Sequence, residues 1–319
     1  MTSLARTPAP VLSFRFAAAY GITMRPYLLF VSGITGVVAL SLARDTDLLR
    51  GMAIAAASFL TYGFGQALTD CFQVDTDAIS APYRPLTRGE VRARDVMIVS
   101  LLGLVACVTV FISMSPWTVV PGILGVTGLA TYTWFKRRWW GGPAYNALIV
   151  LILFVMAGSS ADGSLSFVRR PGILAAAGAV FFGYANFVLA GYFKDMSADA
   201  ATGYRTFPVV FGRRAASVVS NLLAGLFLGA VFMAARKAAL PAMILWALAV
   251  VLSTAAQVQL HRVRTDQEAH RPIGLTVHVY LLGLAAVSAS ARPEWLLPLL
   301  VFYGAFVATL MQRPSQSQI

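Results

Sequence analysis

Two short stretches of this chain hold residues whose types and spacing could do chemistry. Thr69–Gly89 reads TDCFQVDTDAISAPYRPLTRG and Lys194–Gly212 reads KDMSADAATGYRTFPVVFG. Together they carry Asp70, Asp75, Asp77, Asp195 and Asp199, five of only 13 acidic residues among 319. Each cluster stands at the end of a long apolar run, and an ionisable group at the mouth of a membrane helix marks a site by default. Read as a helix, Asp70, Gln73 and Asp77 fall on one face, while Asp75 lies about 140° round from Asp70. Asp195 and Asp199 form a second same-face pair. Pro82 and Pro85 force the first stretch into an extended loop carrying Tyr83, Arg84 and Arg88. Gly203 ends the second helix, and Tyr204-Arg205-Thr206-Phe207-Pro208 is extended.

Carboxylates on two helix ends with arginine and lysine around them suit a diphosphate held through Mg²⁺. Magnesium takes oxygen ligands in near-octahedral geometry and is usually shared between one or two carboxylates and phosphate oxygens. Lys136, Arg84 and Arg205 can neutralise the remaining charge. With diphosphate as leaving group, such a site stabilises negative charge as it develops. An apolar helical cavity would take a hydrocarbon tail and keep water from a carbocation. The plainer reading is that the acids only balance nearby basic residues. It is disfavoured because the clusters resemble each other: Asp77-Ala78 before Arg84-Pro85 mirrors Asp199-Ala200 before Arg205 and Pro208, and superposing Asp77 on Asp199 places Gln73 on Asp195. That pattern reads as an internal repeat of helix pairs serving one cavity.

The elements that position these residues are membrane spans. The chain is 58% hydrophobic and 12% charged, too apolar for a soluble domain. Ten apolar runs are long enough to span, at 26–43, 51–68, 96–114, 117–135, 143–159, 173–192, 215–234, 239–258, 273–291 and 295–312, and lipid requires each to be helical. The fold class is therefore all-α, a polytopic transmembrane bundle with two internally similar halves. Residues 1–24 form an amphipathic tail (Val11, Leu12, Phe14, Phe16, Tyr20) lying in the headgroup region, 25–312 the membrane domain and 313–319 a second tail. If the amino terminus is inside and spans alternate, the inner side carries 18 of the 25 Lys and Arg. The outer side has 7, namely Arg44, Arg50, Arg169, Arg170, Arg236, Lys237 and Arg292. This bias places both termini and both acidic stretches in the cytoplasm, with the cell's inner membrane the expected location.

The net charge of +12 is scattered over short loops; topology and anionic lipid account for it, and nucleic acid is not an expected partner. Cys71 and Cys107 have neither metal nor disulfide spacing. Arg15 interrupts the early apolar stretch, so no cleavable signal peptide is expected. Arg25, at the start of the first span, is expected to snorkel rather than reach the site. Tyr132 and Lys136 share one face at the inner end of the fourth span. Arg137 and Arg138 read as topological anchors, and Trp139 and Trp140 as interfacial aromatics. Asn146, early in the fifth span, needs a polar partner and is either helix–helix glue or a site ligand. His278 reads as a packed, hydrogen-bonded histidine, and Asp266 and Glu268 as solvated.

At this point the residues resemble the UbiA superfamily of intramembrane prenyltransferases. TDCFQVDTDAISAPYRPL is similar to that family's first motif, N-D-x-x-D-x-x-x-D, with a PYRP ending like its chlorophyll-synthase and archaeal ether-lipid branches. KDMSADAATGYRTFPVVFG is similar to the second, K-D-x-x-x-D followed by G-x-x-T-x-P-V-x-x-G. Tyr132, Lys136 and Asn146 sit where the family has Y-x-x-x-K followed by Asn. The resemblance covers roughly residues 20–300. It implies a nine-helix bundle with a central cavity, Mg²⁺ as cofactor, and transfer of a prenyl group from a polyprenyl diphosphate to a hydrophobic acceptor, aromatic or lipid. Carried over, Asp70, Asp77, Asp195 and Asp199 serve the metal. Lys136, Arg84, Arg205 and Lys194 hold diphosphate, and Tyr132 and Asn146 line the site. Two positions depart: the family's opening Asn is Thr69 here, and its middle Asp is Gln73, whose neutral amide can still ligate magnesium. Asp75 could turn inward to compensate. The altered motif keeps a second activity open, a terpene cyclase of the same superfamily that needs no acceptor. A transporter is the third reading, weakened because the acids cluster at one face.

Overall fold

The computed structural model describes residues 7–44, 47–235 and 239–312, and every regular element among them is helical. The long helices are α2 (Leu29–Leu42), α3 (Leu48–Asp70), α5 (Ala93–Met114), α6 (Val119–Lys136), α7 (Gly142–Asp162), α8 (Ile173–Gly191), α10 (Phe207–Ala235), α11 (Leu240–Leu260), α12 (His270–Ala291) and α13 (Leu296–Met311). Three short ones stand beside them: α1 (Phe14–Thr23), α4 (Val74–Ser80) and α9 (Met196–Ala201). Eight of the helices are long and apolar enough to cross a membrane, and the bent pair of α1 with α2 makes nine. The helix α6 coincides with the expected span 117–135 but is not among them; three glycines, three threonines and Lys136 dilute its apolar character. The tail 313–319 lies outside the described residues, as do Arg6, Arg236, Lys237 and Arg313 of the charge count.

The core sits where α2, α7, α8 and α12 meet. Close approach there depends on small residues: a Cβ on Gly36 of α2 would stand 2.3 Å from Ser58 Oγ of α3, so nothing larger fits without parting the two helices. Polar pairs inside the bundle satisfy each other. Ser220 Oγ lies 2.6 Å from Asn186 Oδ1 and 3.0 Å from Gln257 Oε1. Thr35 and Tyr280 hydroxyls are 2.8 Å apart, and His278 Nδ1 meets Tyr303 Oη at 2.7 Å, the packed role expected of it. Outward-facing Leu102, Ile123, Leu222, Val251 and Val301 stay exposed, which is what a lipid solvent asks of a helix surface. Among the eight helices that qualify alone as spans, α13 is the least buried and α12 the most.

At the end remote from the acidic stretches, polar contacts tie the described helices together. Arg50 Nη2 donates to the carbonyls of Met114 and Ser160 at 2.7 and 2.6 Å. Arg170 pairs with Asp162 and donates to the Leu42 carbonyl at 2.9 Å. At the other end the tail is more than a surface helix: Phe16 and Tyr20 of α1 are buried against Ala67, Val91 and Val96, while Leu12 and Phe14 remain exposed. A bend of 44° joins α1 to α2, made at Arg25, whose φ of 53° is the one left-handed non-glycine conformation among the described residues.

Both acidic stretches interrupt their helices instead of continuing them. The helix α3 stops at Asp70 and α4 restarts at Val74. The helix α8 tightens into a turn over Tyr192–Lys194 before α9 restarts at Met196. Gln73 and Asp195 occupy the same capping position, and Asp77 and Asp199 are each the fourth residue of the short helix that follows. Gly212 (φ 80°) then breaks the start of α10, so the straight span begins near residue 215 as expected.

Candidate active site

The inner faces of α2, α3, α6, α7 and α8 enclose a cavity of about 150 Å³ at the end that carries both acidic turns. Its polar side is made by Arg25, Asp70, Gln73, Asp77, Arg84, Lys136, Lys194 and Asp195, with Tyr132 and Asn146 beside them. Deeper in the bundle the lining turns apolar, with Leu28, Leu129, Ile149, Leu153 and Phe187. The breaks in α3 and α8 explain the convergence. Each lets a long helix deliver its last residues to the cavity and then turns the chain across the opening, so that carboxylates from two distant stretches face each other.

Every carboxylate of the site is tied to a cation. Arg25 Nη2 donates to both oxygens of Asp70, at 3.0 and 2.8 Å, and Arg84 pairs with Asp77 while standing 4.0 Å from Asp70. Lys194 Nζ is 3.3 Å from Asp195, and Lys136 Nζ is 3.6 Å from Asp199. Lys136 also donates to Gln73 Oε1 at 2.7 Å. Three buried acids and the partly buried Asp195 thus meet four cations, which makes so many charges tolerable away from bulk water. The titrations follow. Burial pushes the Asp199 carboxyl up to about 6, with Lys136 opposing. Burial also raises Asp77 against the pull of Arg84. At Asp195 burial is outweighed by Lys194, Lys136 and Arg84, and its carboxyl falls below the ordinary range. Burial would lower Arg84, but Asp77, Asp70 and Asp195 raise it above its usual value.

Several residues are not where sequence spacing puts them. Arg25 does not snorkel; its left-handed turn aims the guanidinium at Asp70. Arg205 is exposed and outside the cavity lining, because its backbone is held away by a bond from its N–H to the Arg137 carbonyl at 3.1 Å. Asp199 is fully buried but does not line the cavity: it sits behind Lys136 and accepts from Thr206 Oγ1 at 3.3 Å. Asp75 does not turn inward to compensate for Gln73; it faces outward to Arg137, which is therefore more than a topological anchor. Asp266 is not simply solvated, since it accepts from the Ser197 N–H at 2.8 Å and pairs with Arg213. Of the small and aromatic residues Gly33, Gly36, Phe59, Phe181, Phe182 and Phe187 on α2, α3 and α8, only Phe187 lines the cavity.

The donor set can be weighed against magnesium directly. Among the described residues no three carboxylates, histidines or cysteines come together as a ready-made metal cluster. The donors lining the cavity are hard oxygens from Asp70, Asp77, Asp195 and the amide of Gln73, the chemistry magnesium selects. Asp199 Oδ1, also buried, accepts no hydrogen bond. Few protein oxygens set around an open space is how a metal shared with phosphate is held, so the residues fit the ion.

Known proteins resemble this chain in sequence and in fold. The chain is 32% identical over 168 residues to digeranylgeranylglyceryl phosphate synthase of Natronomonas pharaonis, covering 52% of this chain and 58% of that protein; it spans about three fifths of the relatives it matches at this identity. The synthase of Thermococcus kodakarensis is 26% identical over 289 residues, 86% of this chain and 98% of that one. Bacteriochlorophyll synthase 33 kDa chain of Rhodobacter capsulatus is 24% identical over 184 residues, 55% of this chain and 59% of that protein. Among solved structures, a UbiA homologue from Aeropyrum pernix shares the fold with a TM-score of 0.67 at 18% identity, over 89% of this chain and 97% of its own. One from Archaeoglobus fulgidus, bound to DMAPP and Mg²⁺, shares it at 0.63 and 16% identity, over 84% and 99%. A family model matches residues 29–278, which include both acidic turns and most of the cavity lining, and the chain belongs to the UbiA prenyltransferase family.

Proposed function

We propose that this integral membrane protein transfers a prenyl group from a polyprenyl diphosphate to a hydrophobic acceptor, with Mg²⁺ as cofactor. The observation that carries the reading is one cavity with paired acids and cations at its mouth and apolar walls behind them. The relatives' names support transfer to a lipid-type acceptor, and the Archaeoglobus fulgidus homologue's prenyl diphosphate and Mg²⁺ support the donor and the metal.

Asp70, Gln73, Asp77 and Asp195 are the residues that would hold the ion, with Asp199 in reserve behind Lys136. Bound there, magnesium would neutralise diphosphate charge and favour its departure. The rest falls to the chain itself. Arg84, Lys136, Lys194 and Arg25 meet the phosphate oxygens and the charge that grows on them as the allylic C–O bond breaks. Leu28, Leu129 and Leu153 hold the hydrocarbon and keep water from the carbocation. The rings of Tyr62, Tyr184 and Phe187 border the same space and present π faces to positive charge. Tyr132, whose hydroxyl is 2.9 Å from that of Tyr192, and Asn146 orient the reacting end. Residues 25–312 would make the catalytic domain, and the charge bias supports a mouth on the cytoplasmic side of an inner membrane.

Purified protein is tested with geranyl, farnesyl and geranylgeranyl diphosphates, with and without lipid and aromatic acceptors. The expected result is diphosphate release that requires both Mg²⁺ and an acceptor and stops on chelation. Asp70→Asn and Asp195→Asn each lower turnover by at least about a thousandfold, as loss of a charge-stabilising group does. Hydrocarbon formed from diphosphate alone would favour a cyclase instead, and undiminished turnover in both variants would remove the site.

A further inference from the structure

A separate ring of contacts, outside the cavity, ties the two acidic stretches to each other. Arg137, just past α6, donates from Nη2 to Asp75 Oδ2 of α4 at 3.1 Å and to Tyr204 Oη, beyond α9, at 3.2 Å. Tyr204 Oη in turn donates to Asp75 Oδ1 at 3.2 Å, closing the ring. The guanidinium stacks 4.6 Å from the centre of the Tyr204 ring, and the hydroxyls of Thr76 and Thr202 meet at 2.9 Å alongside. Asp75 and Arg137 are about half exposed, at 45% and 49%, and such a pair alone contributes little. Tyr204 changes the case because it is 1% exposed and touches the site. Its ring centre is 5.3 Å from Lys136 Nζ, and its N–H donates to the Asp199 carbonyl at 2.8 Å.

We propose that Asp75, Arg137 and Tyr204 are a positioning triad, which clamps α4 to α9 and seats the Lys136 ammonium at the cavity mouth. No member of the triad lines the cavity, so they act through Lys136 and Asp199 and not on substrate. The proposal rests on the diphosphate reading above, since what the triad positions is a cation that meets phosphate.

The test uses the full chain in phospholipid nanodiscs, with magnesium pyrophosphate as probe and calorimetry as readout. Arg137→Ala and Tyr204→Phe each weaken binding about tenfold, as loss of a residue that orients a ligand does, while the unfolding temperature without probe stays near that of the wild type. Arg137→Lys, which keeps the charge but loses the fork, falls between. Asp75→Asn combined with Arg137→Ala is no weaker than Arg137→Ala alone, because the ring is already open. Wild-type affinity in both Arg137→Ala and Tyr204→Phe, or additive losses in the double variant, overturns the triad and leaves the diphosphate reading standing. A wild-type protein that does not bind the probe overturns the diphosphate reading itself, and the triad with it.

Discussion

Gln73 is, with Thr69, one of two residues that depart from the motif the first stretch resembles. Its amide oxygen accepts from Lys136 at 2.7 Å, so it shares a cation with Asp199 and adds no negative charge to a mouth where every acid already has its counter-ion. A carboxylate at this position would compete with diphosphate for Lys136 and with its neighbours for metal. Gln73→Asp is therefore expected to tighten Mn²⁺ binding, followed by electron paramagnetic resonance as loss of the free-ion signal. Gln73→Leu removes a hydrogen bond to a charged group, worth about 1.5–3 kcal/mol. The KM for the prenyl diphosphate should rise by roughly the corresponding tenfold to hundredfold. The shared face of Tyr132 with Lys136 was legible because one unbroken helix carries both, and the acids were legible as rare charge at the ends of apolar runs. Arg25, Arg205 and Asp199 were not: which way a side chain leaves a broken helix depends on one or two backbone angles, such as the left-handed φ at Arg25, and composition carries no record of them.

At the level of elements, the break matters more than the helix. Gln73 and Asp195 stand at the N-cap position of the short helix that follows each break, and without those turns Asp77 and Asp199 would be carried away from the bundle axis. The internal likeness of the two stretches was readable as sequence, and the turns repeat it in space. What could not be read is that α4 and α9 lie against each other, since Thr76 and Thr202 look like any other loop threonines. The close approach of α2 and α3 is likewise invisible until Ser58 is seen facing Gly36. Gly36→Leu should part these helices and lower stability by about 1–3 kcal/mol, the usual cost of overpacking, measured as an earlier thermal unfolding in detergent. Activity per folded molecule should survive, because Gly36 does not line the cavity.

For the whole molecule, hydropathy located the long helices to within a few residues, since nothing but length and apolarity is needed to find a span. The α6 helix was located as well, although its glycines, threonines and terminal Lys136 dilute its hydropathy. The proposed sidedness rests on charge bias alone, and it is tested by labelling single cysteines in a Cys71→Ala, Cys107→Ala background. A cysteine replacing Arg88, between α4 and α5, should react with an impermeant maleimide only after the membrane is opened. One replacing Ser166, between α7 and α8, should react in intact cells; the reverse pattern would invert the topology.

The far end of the bundle is tied together by Arg50, Asp162 and Arg170, and all the acids of the site lie at the opposite mouth. Diphosphate would thus enter and leave through one side, and no charge would traverse the bilayer during a turnover. A charge that did cross would couple to the membrane potential at about 2.3 kcal/mol per 100 mV. An enzyme built in this way is electrically silent: its rate in proteoliposomes should be the same whether a potassium diffusion potential is imposed inside-negative, inside-positive or not at all. The cell could then run this chemistry in an energised membrane without drawing on the energy stored there.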